Sequence, residues 1–522
     1  MPPGGRPVDP APLRSPTLGD IGPKLYAPEV YDVHPVKSVP GFEGPLPNET
    51  FAGYIAVDDD RTRFLYFYFS VHADPYGKPL LLWMNGGPGC SSMDGLVYEH
   101  GPFTFAAGDG GAPELTRNPE SWAEEASVFW VDSPAGVGNS YCTADGCQST
   151  GDAQTSADMA AFVRRFVDFF NLKKVPFYVS GESYAGIYVP TVVSALLDAG
   201  PGGPNLKGYL IGNGCTDPEV DGAALLPFLR GKSLISKQQY KHARHACDGD
   251  GDGDGDGDGD GDGDGEPSDE CERDVARIRD VVADLNIYDV LLPCYRGGEG
   301  HAAAARGAAL REVGPHGWPL GGAVGDGPVR HWGYFTRGPG RAAGAGGDGG
   351  GDDDAPIVPC TDDRLARRWL NDAAVREAIH VRPVSEIGEW EICNMDMNFS
   401  YAHDLGSMLP FHRRHLGLGL RVLVYSGDHD MAVPHTGSEK WTHKLAKELG
   451  LRVEGKWRPW AVGGQVAGFC HSWEGLEYVT VKGAGHMVPQ NKPAEARAML
   501  RRFLAGELCD AAEEGGPGGG EL

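Results

Sequence analysis

The sequence predicts an α/β protein organised around one largely parallel sheet. Three features carry that reading: strand-like stretches that are apolar almost throughout, helical-period segments between them, and an apolar content of 41% in 522 residues, enough for a large core. Residues 62–71 (TRFLYFYFSV) and 79–84 (PLLLWM) are apolar and aromatic runs bounded by turn residues, and 127–132 (SVFWVD) is a third strand of this kind. Met159, Phe162, Val163, Phe166, Phe169 and Phe170 then recur at helical spacing across 152–171. Strand 175–180, helix 184–198 and strand 207–212 (KGYLIG) continue the alternation. Regularity is lost between about 215 and 360, then returns with helix 362–380, strand 420–426 (LRVLVYS), helix 436–449, strand 476–482 (LEYVTVK) and a last helix over 493–506. Strands apolar on both faces need helices on both faces, so the sheet is expected to be buried.

This order implies one domain over 34–510, interrupted by an irregular cap insertion at about 215–360 that sits over the face where the strands end. Residues 1–33 and 511–522 read as a flexible extension and tail. Residues 248–265 alternate Asp and Gly with no apolar side chain, and 296–356 is rich in Gly and Ala; neither can offset its ordering entropy, so both are expected to be disordered. The period of two in the Asp-Gly tract matches no EF-hand or nonapeptide calcium repeat.

Charge and hydropathy exclude two classes. With 46 basic against 73 acidic residues the net charge is −27, the wrong sign for binding nucleic acid. No run of about 18 apolar residues exists to span a membrane. The 11 cysteines, together with acceptor triplets at Asn48 (Asn-Glu-Thr) and Asn398 (Asn-Phe-Ser), point to the secretory pathway. The first twenty residues contain no apolar signal-peptide core, so the expectation is that a leader is missing from this chain.

Chemistry concentrates at three strand ends. In SGESYAG, Ser183 lies between Gly181 and Ala185-Gly186 at a strand-to-helix corner, the spacing of a nucleophile elbow. A serine hydroxyl needs a base, and the base an orienting acid. Strand 420–426 is followed by Asp428-His429-Asp430, and strand 476–482 by His486. Parallel strands bring their C-terminal ends to one edge, so Ser183, Asp430 and His486 can meet, in the chain order of α/β-hydrolases. The Tyr184 amide, just after the serine, and an amide of the Gly86-Gly87 pair in WMNGGPGCSS are the expected oxyanion donors, with Gly87 the choice. The glycine pair is no phosphate cradle, for it lacks both a G-x-G-x-x-G pattern and a following Lys-Ser/Thr.

At these residues the chain resembles a known family. WMNGGPGCSS, GESYAG, YSGDHDMAVP and GAGHMVPQNKP look like the four signature blocks of the serine carboxypeptidases, and the similarity runs from about 34 to 506 outside the low-complexity stretches. The resemblance implies an α/β-hydrolase fold, a triad of Ser183, His486 and Asp430, and no metal or other cofactor. It implies that Asn85, Gly86, Glu99 and Glu182 bind a substrate's terminal carboxylate, which makes sense only if at least one glutamate is protonated and can donate. It also implies disulfides Cys90–Cys393, Cys247–Cys271 and Cys294–Cys360, with Cys142 and Cys147 closing a small loop and Cys215, Cys470 and Cys509 left over. The pairing of Cys247 takes it from a zinc set with His242 and His245.

The expected activity is release of C-terminal amino acids from peptides through an acyl-enzyme at mildly acidic pH, in a secreted or vacuolar/lysosomal protein. The alternative is an acyltransferase of the plant-type serine carboxypeptidase-like branch, which PVKSVPGFEGPLPNETFAGYI and WRPWAVGGQVAGFC resemble and which takes acyl groups from sugar esters. Intact Asn85, Glu99 and Glu182 favour the peptidase. A catalytically silent binding protein would be expected to lose a triad member. The sequence does not set the side-chain preference or the oligomeric state.

Overall fold

The structure is a computed structural model that describes residues 29–106, 113–143, 150–248, 269–295 and 358–509. The expectations for residues 249–265 and 296–356, for 1–28 and for the tail lie outside these. The strands are β1 (Tyr31–Pro35), β2 (Glu49–Ala56), β3 (Arg63–Val71), β4 (Leu80–Met84), β5 (Phe103–Phe105), β6 (Leu115–Arg117) and β7 (Ser127–Val131). They continue with β8 (Tyr141–Cys142), β9 (Pro176–Glu182), β10 (Asn205–Gly212), β11 (Arg421–Gly427), β12 (Val453–Val462), β13 (Gln465–Trp473) and β14 (Leu476–Val481). The main sheet runs β1-β2-β3-β7-β4-β9-β10-β11-β14-β13-β12, with β8 beside β3; β5 and β6 pair separately.

Its centre, β7-β4-β9-β10-β11-β14, is parallel throughout. Every residue of β4 and β7 is buried, which is why these strands read as unbroken apolar runs. Helices α1 (Asp152–Phe169) and α2 (Ala185–Asp198) cover one face. The phenylalanines that gave α1 its period dock there: Phe166 stacks on Phe129 of β7 at 4.2 Å and meets Phe67 edge-on at 5.3 Å. Burying each such ring stabilises the fold by about 1.5–3 kcal/mol.

The margins of the sheet depart from the parallel expectation. β1-β2-β3 is antiparallel and joins β7 antiparallel, while β14-β13-β12 closes the other side the same way. β12 and β13 turn at Gly463-Gly464, both at positive φ (57° and 73°), the backbone a two-residue hairpin requires.

Two further expectations are corrected. The helix read over 362–380 is two, Arg364–Leu370 and Ala373–Ala378, because the Asp372 side chain accepts from the amides of Ala374 (2.9 Å) and Val375 (3.2 Å) and starts a new helix. The 215–360 insertion is not irregular throughout: it holds α3 (Pro218–Gly231), α4 (Lys237–Asp248) and α5 (Asp269–Val282). Asp217 caps α3 through the amides of Glu219 and Val220, and Pro218 sits in the first turn, where its missing N–H costs nothing. These helices build a small core of Phe228, Leu229, Ile235, Ala243, Ile278, Val282, Val290 and Met431.

Disulfides Cys90–Cys393, Cys247–Cys271 and Cys294–Cys360 are present, and Cys142 is also oxidised, whereas Cys147 lies outside the described residues. Cys247–Cys271 ties α4 to α5. Among the described residues no helix is long and apolar enough to cross a membrane.

Candidate active site

The register of the parallel strands builds the site. Glu182 at the end of β9 lies beside Gly212 of β10, and Gly212 beside Tyr425 of β11. Ser183 follows at φ +62°, a left-handed conformation rare for a residue with a Cβ, held by its amide to Gly212 O (3.1 Å) and its carbonyl to the Cys215 amide (3.0 Å). The corner demands small residues. A Cβ on Gly181 would lie 2.4 Å from Met84 O, and one on Gly186 2.1 Å from Cys215 O.

The loop after β4 presses against this corner. A Cβ on Gly86 would fall 2.4 Å from the Tyr184 amide nitrogen and 2.9 Å from Ser183 Cβ, so only glycine brings the two backbones together. The Gly87 and Tyr184 amides are not taken up by the turn and loop hydrogen bonds around them among the described residues. The Tyr184 hydroxyl is anchored away from the serine, donating to Asp152 Oδ1 (2.8 Å) and lying 2.6 Å from His403 Nδ1.

His486 and Asp430 come together: Nδ1 of the imidazole is 2.7 Å from Oδ2 of the carboxylate. Asp430 also accepts from Asn213 Nδ2 at Oδ2 (2.8 Å) and from the Ala432 amide at Oδ1 (2.8 Å), so a fully buried carboxylate has three donors. The Ser183 hydroxyl makes no hydrogen bond among the described residues. Asp428, the other aspartate of GDHD, points elsewhere and accepts from the Gly483 amide (2.7 Å).

Asn85 Nδ2 donates to Oε1 of both Glu99 and Glu182, each at 3.1 Å, while its Oδ1 accepts from Trp83 Nε1 (2.8 Å) and the Gly95 amide (3.2 Å). Both glutamates are buried, and their Oε2 atoms have no donor. A proton held between the two carboxyls satisfies this arrangement. Burial, and then the charge of Asp94, pushes Glu99 up to about 8; burial, and then the charge of Glu99, raises Glu182 well above the ordinary range. Glu182 lies one residue before Ser183, so the pair adjoins the serine corner.

Three contributors escaped the sequence reading. Asp94 offers a carboxyl oxygen within 4.8 Å of those of Glu99 and Glu182; burial, and then Asp363, pushes it up to about 7. Asn213 follows β10 and bridges Asp430 to the Gly427 amide (3.1 Å). Its signal was an Asn-Gly pair at a strand end beside the nucleophile strand. Residues 287–288 strap the insertion to the catalytic loops: Ile287 O accepts from Met431 (2.9 Å) and Ala432 (3.0 Å), and Tyr288 O from His486 (2.7 Å). Nothing local marks that strap.

Asn48 is half-buried just before β2, whereas Asn398 Nδ2 donates to Pro88 O (2.8 Å) in the glycine loop.

A parallel sheet with a strained serine corner, an Asp–His pair on two later strand ends and a glycine loop against the serine define a serine hydrolase of the α/β-hydrolase fold. The chain belongs to the serine carboxypeptidase family, whose model matches residues 40–506. It is 39% identical over 495 residues to serine carboxypeptidase-like 21 of Arabidopsis thaliana, covering 90% of this chain and 94% of that one. It is 40% identical over 497 residues to serine carboxypeptidase 1 of Hordeum vulgare, covering 90% and 92%. The prohormone-processing carboxypeptidase Kex1Δp of Saccharomyces cerevisiae shares the fold at 20% identity, with a TM-score of 0.63 and coverage of 88% and 92%. The protein is therefore a serine carboxypeptidase hydrolase acting on peptide substrates, and its disulfides fit the secretory pathway.

Proposed function

We propose that this enzyme releases single amino acids from peptide C-termini through an acyl-enzyme on Ser183. The observation that carries this reading is the donor-starved Glu99–Glu182 pair with Asn85, one residue from the serine corner. A buried pair that keeps a proton donates to a carboxylate, and a peptide's own C-terminus supplies one.

In this reading Asn85, the Gly86 backbone, Glu99 and Glu182 hold the terminal carboxylate and set the scissile carbonyl over Ser183. His486 accepts the hydroxyl proton as Oγ attacks, and the developing oxyanion is held by the Gly87 and Tyr184 amides. Asp430 fixes the imidazole and stabilises its protonated form. His486 then passes the proton to the leaving amine, the terminal amino acid departs, and water, deprotonated by His486, hydrolyses the ester. Binding needs the protonated acid pair, so peptide affinity should be kept at acidic pH and fall as pH rises through the pair's titration; a mildly acidic working range is part of the proposal.

Hydrolysis is preferred over acyl transfer from sugar esters because all four carboxylate-binding positions are retained. The compartment is proposed as secreted or vacuolar/lysosomal, with Asn48 and Asn398 as glycan acceptors; the cap over the catalytic edge is proposed to shape side-chain preference. Ser183→Ala is expected to abolish release of amino acids from blocked dipeptides and labelling by a fluorophosphonate. Near-parent turnover in that variant would remove the assignment, and turnover of an acyl-glucose with an alcohol acceptor in place of peptides would establish the transferase.

A further inference from the structure

Cys470 and Cys509 take no part in the site, yet they face each other. Cys470 lies on β13, paired in register with Val479 of β14. Cys509 follows the helix Pro493–Ala505, which stops at Gly506 in the left-handed conformation. Both thiols are buried, they share a core with Trp460, Leu500, Phe503 and Leu508, and each is the first influence on the other's proton affinity, which sets the two sulfurs side by side. Cys215, the other free cysteine among the described residues, belongs to the core on the opposite face of the sheet. A lone buried cysteine is a small apolar filler. Two that touch, in a chain whose Cys90, Cys247 and Cys294 are already oxidised, are a cross-link waiting for an oxidant.

We infer that Cys470 and Cys509 close a further disulfide that staples the end of the last helix to β13 and encloses β14 and the His486 loop in one covalent ring. The ring spans about 40 residues, a length at which a cross-link removes much chain entropy from the unfolded state.

The surroundings give the two sulfurs different roles. The Cys509 hydrogen bond first, and then the Arg458 guanidinium, lower the proton affinity of Cys470, whereas the contact with Cys470 and burial raise that of Cys509. Cys470 is accordingly the attacking thiolate. Cys470 Sγ first attacks a disulfide-form oxidant such as glutathione disulfide, forming a mixed disulfide and releasing one of the oxidant's sulfurs as a thiol. Cys509 then gives up its proton as its Sγ attacks Cys470 Sγ, the new S–S bond forms, and the oxidant's second sulfur leaves as a thiolate that takes up a proton. Two protein thiols thus lose two electrons and two protons, and the oxidant becomes two thiols.

The inference does not depend on the reaction at Ser183. The full chain, folded in a glutathione redox buffer, is denatured with iodoacetamide without reduction, digested and weighed by mass spectrometry. The Cys470 and Cys509 peptides are expected as one linked species and the Cys215 peptide as an alkylated thiol. Cys509→Ser should leave Cys470 alkylated, lower Tm by several degrees and shorten the half-life of activity on heating. Finding both peptides separately alkylated in a sample whose Cys90–Cys393 bond is closed overturns the proposal, whether or not the serine variant folds.

Discussion

Asp430 and the Glu99–Glu182 pair are carboxyls at one sheet edge, at 0%, 2% and 3% exposure, and their surroundings supply them very differently with donors. Asp430 receives donors from His486, Asn213 and the Ala432 amide, so its charge is spread over three hydrogen bonds. The two glutamates share one amide nitrogen, that of Asn85, and keep two oxygens with no donor. Burial is nearly equal; the supply of donors is not. A buried carboxyl ringed by donors serves as an anion, and one deprived of them keeps its proton and becomes a donor itself.

Removing charge from the donor-rich side should have the largest effect. Asp430→Asn is expected to fold and bind peptide with little change in KM, while kcat falls on the order of 10⁴-fold because the imidazole is held in the wrong tautomer. Steady-state kinetics with circular dichroism checks this; a kcat within a few-fold of the parent would break the contrast. Asn213→Ala removes one of the three donors and should cost roughly 10–100-fold in kcat, the range for leaving a buried group short of a partner. An unchanged kcat would mean that the other two donors suffice.

On the donor-poor side the effect should appear in KM and depend on pH. The folded protein holds these protons more tightly than an unfolded chain, so peptide affinity, and the pair's contribution to stability, persists at acidic pH and is lost as pH rises towards about 8. KM for free-acid peptides should therefore climb on the alkaline side, and that for amidated peptides should not. Glu99→Gln combined with Glu182→Gln should flatten the climb, since glutamine donates at any pH. If the double variant keeps the parent profile, the pair does not hold the carboxylate.

The smallest effect is expected at Asp94. Burial and Asp363 raise it to about 7, so below that pH Asp94→Asn replaces one neutral group by another and should change little. Above it the substitution removes a charge that holds protons on Glu99, and the alkaline rise in KM should move to lower pH by up to about one unit. A shift to higher pH would show that Asp94 acts mainly by repelling the substrate.

The sequence exposed the parts of this site that sit in local patterns. Ser183, Asp430 and His486 each follow an apolar run, and Gly86 and Gly87 follow another, so strand ends could be named without knowing which strands are neighbours. The helix break at Asn371-Asp372 and the Gly463-Gly464 hairpin were also written locally, as a cap residue and a turn pair, and went unread against a longer helical period and an expected parallel sheet. Asp94 and the strap at Tyr288 had no such signature, and the Asn-Gly pair at Asn213 marked a strand end without naming its partner.

By itself, then, the sequence determined the α/β class, the chemistry at three strand ends and the presence of two acids suited to a carboxylate. Only the tertiary structure decided which buried carboxyl is saturated with donors and which is left short of them. The Asn213–Asp430 bond spans 217 positions and exists because β10 lies beside β11; the Asn85–Glu182 bond spans 97 and exists because β4 lies beside β9. Period and capping report the backbone of a few adjacent residues, whereas a buried group's protonation depends on every donor and charge within a few ångströms, whatever their distance along the chain.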